Sequence, residues 1–331
     1  MSGVQYISVA ADEEDVRLDR WFKRHFPDLN HGRLEKLLRT GQIRLNGARI
    51  KSNQRLHSGQ IVRVPPLGTS SNTSAGKNKP KQVPEKDAAL IQSMILYKDD
   101  DLIALNKPPG LAVQGGSKTT RHIDGMLDAL RFDKDERPRL VHRLDRDTSG
   151  VLIIARSAKS ATVLGRVFQG HDAQKTYWSL VLGFPEHPAG TISAALAKSG
   201  PQGREKMQWD DEEGKKAVTD YRVISSAGEK ITWLELMPQT GRTHQLRAHC
   251  ALINTPIIGD RKYTVKHDHP DQQTNLDDGL LADIADKLCL HARELTLNMP
   301  GRKPLTIKAP LPKHMAAAFK DLGFSEGEAR E

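Results

Sequence analysis

Apolar residues near the start of the chain recur at the spacing of an amphipathic helix. In residues 17–26 and 31–42 they occupy positions i, i+3 and i+4, which lie on one face of a helix. Asn30 is suited to cap the second helix, and Gly41 is suited to end it. We therefore predict two short helices whose buried faces carry Leu18, Trp21 and Phe22 in the first and Leu34, Leu37 and Leu38 in the second.

A small sheet is predicted after these helices. The dipeptide Asn46-Gly47 is a two-residue hairpin signal between short apolar stretches, and residues 59–64 (GQIVRV) have the pattern of a further strand. Together with the helices, this pattern predicts a small α/β module over residues 1–64, with its core in residues 16–64.

The composition changes abruptly after this module. Residues 65–89 are rich in Pro, Gly, Ser, Asn and Lys, a composition that cannot bury a core, so we predict a flexible linker. Residues 90–322 alternate strand and helix patterns, which predicts one α+β domain built on a mixed sheet, and residues 323–331 are predicted as a tail. The strand patterns are LIALNK, VLIIAR, YWSLVLG, AVTDYRVI, TWLELM and LTLNM, and the helical patterns cover residues 157–170 and 244–253.

Positive charge is concentrated in the N-terminal module. The whole chain has a net charge of +9, and residues 16–64 alone hold 12 Lys and Arg against 3 Asp and Glu. A compact basic segment favours binding to a polyanion, for which nucleic acid is the first candidate and a generic solvated surface the alternative. The basic residues that we expect to bind nucleic acid are Arg17, Arg20, Lys23, Arg24, Arg33, Lys36, Arg39 and Arg44.

Several protein classes are disfavoured by features that the sequence lacks. No stretch has the roughly 18 to 20 apolar residues of a membrane helix, and the acidic N-terminus has no apolar secretory segment. Cys250 and Cys289 are too few for a disulfide framework, so we expect reduced thiols in a cytoplasmic protein. The common phosphate-loop, dinucleotide, zinc and nucleophile-elbow motifs are absent, so neither a cofactor nor a metal is expected.

The segment VHRLDRDTSG (141–150) is the first candidate for chemistry. Asp145 lies between Arg143 and Arg146, whose positive charges favour an ionised carboxylate. Such a carboxylate can act as a nucleophile or a base. The alternative is a structural ion pair in a turn.

The segment PQTGRTHQLRAH (238–249) is the second candidate. Arg242, His244 and Arg247 follow a turn, and Arg247 lies on a helical pattern that would fix its direction. His244 and His249 are five residues apart, which misses the spacing of paired helical zinc ligands. Structural or RNA-facing histidines are therefore favoured over metal ligands.

Two other segments offer weaker signals. In KTYWSLVLG (175–183), strand alternation places Lys175 and Tyr177 on one face, although an ordinary half-buried strand tyrosine is the alternative. LNKPPGLAVQGG (105–116) is predicted only as a rigid, shaped loop.

Four segments together resemble the RluA-type pseudouridine synthases of large-subunit ribosomal RNA. They are HRLDRDTSG, the KTY strand, TGRTHQLRAH and LNKPPG. The resemblance covers about residues 90–322 and implies the mixed, mainly antiparallel sheet of a pseudouridine synthase catalytic domain. Residues 16–64 resemble the alpha-L RNA-binding module found in a small-subunit ribosomal protein. The appended module and the sequence of the HRLDRDTSG motif are most similar to the RluC branch, and the RluD branch is almost as similar.

The resemblance assigns roles to individual residues. It implies that Asp145 is the catalytic residue and that Arg143 helps to displace the target base. It also implies that Tyr177 is the active-site tyrosine and that Arg247 pairs with the catalytic aspartate. The residues expected to bind the RNA substrate are Arg143, Arg242, His244 and Lys175.

The implied function is the isomerisation of specific uridines to pseudouridine in 23S ribosomal RNA, by an aspartate acting on a flipped-out uridine without a cofactor. The expected partner is that RNA or a large-subunit assembly intermediate, bound by a monomer with no protein partner and no membrane contact. Alternatives are a non-catalytic RNA-binding or ribosome-assembly factor, and a synthase of the RluD branch or one acting on transfer RNA. A glycosidase using Asp145 and Asp147 is disfavoured, because alternate positions of an extended segment point apart.

Overall fold

The protein divides into two compact units. A computed structural model describes residues 3–67, 82–116, 119–170, 172–200, 206–264 and 287–330. Residues 1–79 form the N-terminal unit and residues 80–331 form the large unit.

The N-terminal unit buries the apolar faces of two helices in one core with a three-stranded antiparallel sheet. The Asn30 side chain accepts a hydrogen bond from the backbone of Arg33 (2.9 Å), which confirms the predicted helix cap. Asn46 and Gly47 both have positive φ, as a two-residue hairpin turn requires. The elements are α1 (Leu18–His25), α2 (His31–Arg39), β1 (Gln5–Ser8), β2 (Arg44–Leu45) and β3 (Ile61–Val64), with the strand order β1-β3-β2.

The described part of the large unit contains one eleven-stranded sheet. Its strands are β4 (Ile95–Lys98), β5 (Leu102–Lys107), β6 (Arg139–Leu140), β7 (Ser149–Ala155), β8 (Ala173–Leu182), β9 (Ala189–Ser199), β10 (Lys206–Trp209), β11 (Lys215–Ala227), β12 (Ile231–Pro238), β13 (Leu290–Leu297) and β14 (Leu305–Lys308). The main path through the sheet runs β10-β9-β11-β12-β8-β13-β7-β5-β4, and the pairs along it are antiparallel except for β13 and β7.

Helices cover both faces of this sheet, which explains the continuous apolar run of β7. Leu152 and Ile154 pack in one cluster with Ile91 of α3 (Glu85–Ser93), whereas Val151 and Ile153 pack in another with α5 (Ala158–Gln169). The six strand patterns predicted in this region are all confirmed as strands. The helices of the large unit are α3 (Glu85–Ser93), α4 (Ile123–Met126), α5 (Ala158–Gln169), α6 (Gln245–Leu252) and α7 (Lys313–Leu322).

The glycine of the TSG sequence is required by the parallel pair at the centre of the sheet. Gly150 has a φ of +108°, and an added Cβ would lie 2.2 Å from the backbone oxygen of Ala292 on β13. Only glycine allows this close approach in that conformation. The position of the loop that precedes β7 is therefore fixed by the contact of Gly150 with the backbone of β13.

Two predicted boundaries are wrong. Residues 85–89, predicted as the end of the linker, lie in α3, whose Ile91 is fully buried. Much of the remaining linker lies outside the described residues. The predicted tail, residues 323–331, contains a 3₁₀ helix over Glu326–Arg330, and the Phe324 ring lies 5.8 Å from that of Phe319. In both places a few apolar contacts with the core outweigh a polar local composition.

Two fully buried histidines, His249 and His291, and the half-buried His142 make the stability of the large unit dependent on pH. Burial lowers the pKa of His142 to about 3 and the pKa values of His249 and His291 to about 4. The unfolded chain, with histidine pKa values near 6.5, binds more protons below that pH, so the free energy of unfolding falls as the pH drops from about 6.5 to 4. We expect a loss of about 1.4 kcal/mol per pH unit for each histidine in this window.

Urea unfolding between pH 7.5 and pH 4.5 measures this effect. His291→Gln should reduce the slope, because an uncharged side chain replaces one of the histidines whose pKa values are lowered in the folded protein. A free energy of unfolding that is the same at both ends of the range would contradict the assignment.

Candidate active site

Three of the predicted segments line one cavity of about 370 Å³ in the large unit. They are the loop before β7, the start of β8 and the turn that leads from β12 into α6. This volume is in the range of pockets that bind small organic groups. The residues predicted for the site that line the cavity are Arg143, Asp145, Lys175, Tyr177, Arg242, His244 and Arg247.

Asp145 lies at the wall of this cavity with its side chain 21% exposed. One of its oxygens, Oδ2, is 3.9 Å from Nη1 of Arg247 and 3.9 Å from Nε2 of His244. The arrangement holds a carboxylate, partly shielded from water, beside a permanently charged guanidinium. Asp145 is thus placed to meet a ligand that enters the cavity.

Lys107 holds the loop that carries Asp145. It is fully buried, and its Nζ donates to the backbone oxygens of Arg146 (2.8 Å), Leu111 (2.9 Å) and Pro108 (2.9 Å). Burial lowers the pKa of Lys107 to about 7, and the nearby carboxylates oppose this shift. Three accepting carbonyls need three N–H donors, so we assign the ammonium form. The sequence indicated only a shaped loop here, because the acceptor that ties Lys107 to the Asp145 loop, the backbone oxygen of Arg146, lies 39 positions away along the chain.

Tyr177 lies on β8 and contributes a protonated phenol to the cavity. Burial, reinforced by the charge of Asp145, raises its pKa well above the ordinary value. The next residue, Trp178, points to the opposite side and packs edge to face on Trp233 at 4.7 Å between ring centroids. The predicted alternation along this strand is therefore confirmed.

The far side of the cavity is formed by His142, Phe168 and Lys175. The His142 ring stacks on Phe168 at 4.2 Å, and its Nε2 accepts a hydrogen bond from the backbone of Ile153 (2.8 Å). Lys175 lies with its Nζ 5.9 Å from the Phe168 ring centre, and burial lowers its pKa. This wall combines flat apolar surface with one cationic group.

The main partner of Arg247 is a residue that the sequence did not reveal. Its Nε and Nη2 donate to the two oxygens of Asp260 at 2.6 and 2.7 Å, and the Asp260 side chain is fully buried. Arg247 therefore forms its short bidentate pair with Asp260 and faces Asp145 at 3.9 Å with its remaining nitrogen. The implied pairing of Arg247 with Asp145 is thus present as an ion pair at 3.9 Å, beside the shorter pair with Asp260. Asp260 lacks a motif of its own, since it is a single acidic residue 13 positions beyond Arg247.

His244 and Arg242 stand at the start of α6. His244 is the N-cap residue, with the left-handed φ of +52°, and its Nδ1 is 2.9 Å from Oη of Tyr263. Arg242 is exposed, and its Nε donates to the backbone oxygen of Lys216 at 3.2 Å. Tyr263, like Asp260, had no signal in the sequence.

Arg143 differs from the other arginines of the cavity. Its side chain is exposed, and among the described residues it has neither a hydrogen-bond partner nor an ion-pair partner. By contrast, Arg242 and Arg247 are both tied to protein groups. Arg143 is therefore the cavity arginine whose guanidinium can contact a ligand without breaking a protein contact.

Most of the basic residues singled out in the N-terminal unit are exposed. Arg17 is tied to Asp19 at 2.5 Å, and Arg44 donates to the backbone oxygens of Gly41 and Gly47. Both groups keep their charge, so the surface remains cationic. The exposed members are Arg20, Lys23, Arg24, Lys36, Arg39 and Arg44.

Among the residues that the structure describes, no group of three or more His, Cys, Asp or Glu side chains could hold a metal ion. The helices formed by these same residues are all too short or too polar to span a membrane.

Comparison with known proteins gives a consistent result. The family model described as RNA pseudouridylate synthase matches residues 101–252. The protein named "RNA pseudouridine synthase 4, mitochondrial" from Arabidopsis thaliana is 34% identical over 95% of this chain and 80% of its own length. "Ribosomal large subunit pseudouridine synthase C" from Salmonella typhi is 33% identical over 96% of this chain and 97% of its own length.

A solved structure supports the fold. The structure titled "Human RNA Pseudouridylate Synthase Domain Containing 4" covers 72% of this chain and 97% of its own, with a TM-score of 0.59 and 29% identity. The predicted α+β fold with a mixed, mainly antiparallel sheet is confirmed by this likeness and by the strand pairing. The chain therefore belongs to the RluA-type family of RNA pseudouridine synthases, which are isomerases acting on RNA.

Proposed function

We propose that this protein converts specific uridines of 23S ribosomal RNA to pseudouridine, with Asp145 as the catalytic residue. The convergence of Asp145, Tyr177 and Arg247 on one cavity is the observation that carries this proposal. Relatives named for the large ribosomal subunit favour ribosomal RNA as the substrate. In keeping with the reduced, buried cysteines, we place the activity in the cytoplasm, in a monomer that needs no cofactor.

The chemistry asks for a charged carboxylate beside the sugar of an extruded nucleoside. The reaction breaks the bond from ribose to the ring nitrogen, turns the uracil over and joins the ribose to ring carbon 5. A carboxylate can attack carbon or remove a proton from the sugar, and either route uses Asp145. Arg247 places a permanent positive charge beside this carboxylate, with Nη1 3.9 Å from Oδ2.

The other cavity residues are suited to hold the uracil. The Tyr177 ring offers a flat surface for stacking, worth on the order of 1–3 kcal/mol per base, and a hydroxyl near the carbon that finally loses its proton. Arg143, exposed and unpaired among the described residues, can occupy the space that the flipped base leaves. Lys175, Arg242 and His244 line the same cavity and complete the substrate contacts.

Mapping of pseudouridines tests this function. The purified protein is incubated with 23S ribosomal RNA, with large-subunit assembly intermediates and with transfer RNA, and pseudouridine is mapped in each. We expect new pseudouridines at defined positions of 23S RNA. Product in transfer RNA alone would replace the substrate assignment, and tight binding without product in any RNA would favour a non-catalytic assembly factor.

The N-terminal unit is proposed to bind the phosphate backbone of the substrate RNA. Replacing Arg20, Lys23, Lys36 and Arg39 with glutamine should weaken RNA binding and flatten its salt dependence. Each lost phosphate contact lowers the slope of log affinity against log salt by about 0.7–0.9. Filter binding at several salt concentrations measures this slope.

A matched variant controls for the loss of four charges. It carries glutamine at Lys86, Lys303, Lys313 and Lys320, which are exposed residues of the large unit outside the cavity lining. This variant should keep the wild-type slope. If both variants change the slope equally, the N-terminal unit has no special role in binding.

A further inference from the structure

Tyr263 connects the cavity to strand β10 through one hydroxyl group. The residue is 6% exposed, and its Oη lies 2.7 Å from the backbone nitrogen of Met207 and 2.9 Å from Nδ1 of His244. The Arg247 guanidinium carbon lies 5.1 Å from the centre of its ring. Tyr263 therefore contacts both residues that face Asp145, although it is not among the residues that line the cavity.

The position of each proton on Met207, Tyr263 and His244 follows if every buried donor has an acceptor. The backbone N–H of Met207 donates to Oη, and His244 Nδ1 is the acceptor that the described residues offer to the single hydroxyl proton. Leaving that proton unpaired in a buried site would be costly. Burial raises the pKa of Tyr263 and lowers that of His244, so the phenol keeps its proton and the imidazole is neutral. A neutral imidazole that accepts at Nδ1 carries its proton on Nε2.

The Nε2–H of His244 then points toward the catalytic carboxylate. Nε2 lies 3.9 Å from Oδ2 of Asp145, the same oxygen that Arg247 approaches at 3.9 Å. Resting on the function proposed above, we propose that Tyr263 is a positioning residue. It fixes the tautomer of His244, so that the N–H group of His244 and the guanidinium of Arg247 both face Oδ2 of Asp145. The other carboxylate oxygen, Oδ1, is then the one that meets the nucleoside.

The backbone of His244 is built to hold its ring in this direction. Its φ of +52° is uncommon for a residue with a side chain, and such strain persists only where the surroundings determine it. The backbone oxygen of His244 accepts from Ala248 at 2.9 Å, and the Gln245 side chain accepts from the backbone of Arg242 at 3.0 Å.

The electrostatic surroundings of the His244 ring are mixed. Two carboxylates, Asp145 and Asp260, favour the protonated imidazole, whereas Arg247, Lys262 and above all burial oppose it. This balance leaves the ring neutral and makes the choice of tautomer depend on the hydroxyl of Tyr263.

The tautomer can be observed directly. In long-range ¹H–¹⁵N NMR spectra of the full chain with labelled histidine, His244 should carry its proton on Nε2. Tyr263→Phe keeps the ring and its contact with Arg247, removes the hydroxyl, and should convert His244 to a mixture of tautomers. Tyr221→Phe, which removes another buried hydroxyl, is the matched control and should leave His244 unchanged. An Nδ1–H tautomer in the wild-type protein would overturn the proposal whether or not the protein is active.

A double-mutant cycle tests whether Tyr263 acts through His244. With an RNA that the wild-type protein modifies as substrate, Tyr263→Phe should lower kcat about tenfold and leave KM unchanged. This is the effect expected when the hydrogen bond that orients His244 is lost. His244→Gln retains a neutral N–H donor but has no tautomers, and its own kcat is the reference for the cycle. In that background Tyr263→Phe should have no further effect, because no tautomer remains to be chosen.

Two kinetic outcomes would reject this role. Losses that multiply in the double variant would show a structural effect independent of His244, and a wild-type kcat in Tyr263→Phe would show no effect at all. A wild-type protein without any product rejects the proposed function instead, and the NMR measurement still decides the tautomer.

Discussion

Asp145→Asn is expected to abolish pseudouridine formation while leaving RNA binding intact. The amide has the shape of the carboxylate but cannot attack carbon or accept a proton from the sugar. Removal of a group that acts in the chemical step typically costs a factor of about 10⁴ or more in kcat. Binding should persist, because phosphate contacts supply most of the affinity of such proteins for RNA.

Single-turnover assays on 23S RNA, combined with filter binding, measure both quantities. Asp147→Asn is the matched control, because Asp147 is exposed, two residues away and outside the cavity lining. The control should keep its activity, which would also exclude a mechanism that needs both carboxylates. Wild-type product formation by the Asp145 variant would reject the assigned catalytic residue.

Asp260→Ala is expected to have the largest effect on stability. Asp260 is fully buried and accepts two short hydrogen bonds from Arg247, so its removal leaves a buried guanidinium without its partner. Breaking a buried ion pair in this way costs about 3–5 kcal/mol. Activity should also fall, because Asp260 no longer fixes the direction in which the Arg247 guanidinium faces Asp145.

Urea unfolding followed by fluorescence measures this loss. Glu294→Ala breaks the half-exposed pair with Lys308 and should cost at most about 1 kcal/mol, which makes it a suitable control. Replacing Arg247 with leucine in the Asp260→Ala background should restore stability but not activity, since no buried charge remains. A loss in Asp260→Ala no larger than in the control would show that the buried pair contributes little.

Local patterns predicted most of the secondary structure. The helical spacing of Leu18, Trp21 and Phe22 and the run VLIIAR each depend on residues that are neighbours in sequence, and both became the elements expected. The errors at residues 85–89 and 323–331 have one physical origin. In each segment polar composition suggested exposed chain, whereas Phe324 and Ala329 pack on the core and residues 85–89 belong to the helix whose Leu90 and Ile91 do so.

The candidate site divides in the same way. Asp145, Tyr177 and Arg247 belong to motifs and were found from the sequence, and the structure brings them to one cavity. Asp260 and Lys107 were missed, because each acquires its role in the site only when the fold brings a partner to it. That partner is Arg247 for Asp260 and the backbone of Arg146 for Lys107.

The order of residues was enough to indicate which side chains are candidates for chemistry, where most helices and strands lie, and that a basic segment precedes a strand-rich one. The supports of the candidate site became visible only in the folded chain. They are the hydrogen bond of Lys107 to the Asp145 loop, the pair of Arg247 with Asp260, and the contact of Tyr263 with His244. A motif records residues that are close along the chain, whereas the charge, direction and protonation of a buried group depend on whatever the fold places within hydrogen-bond distance of it.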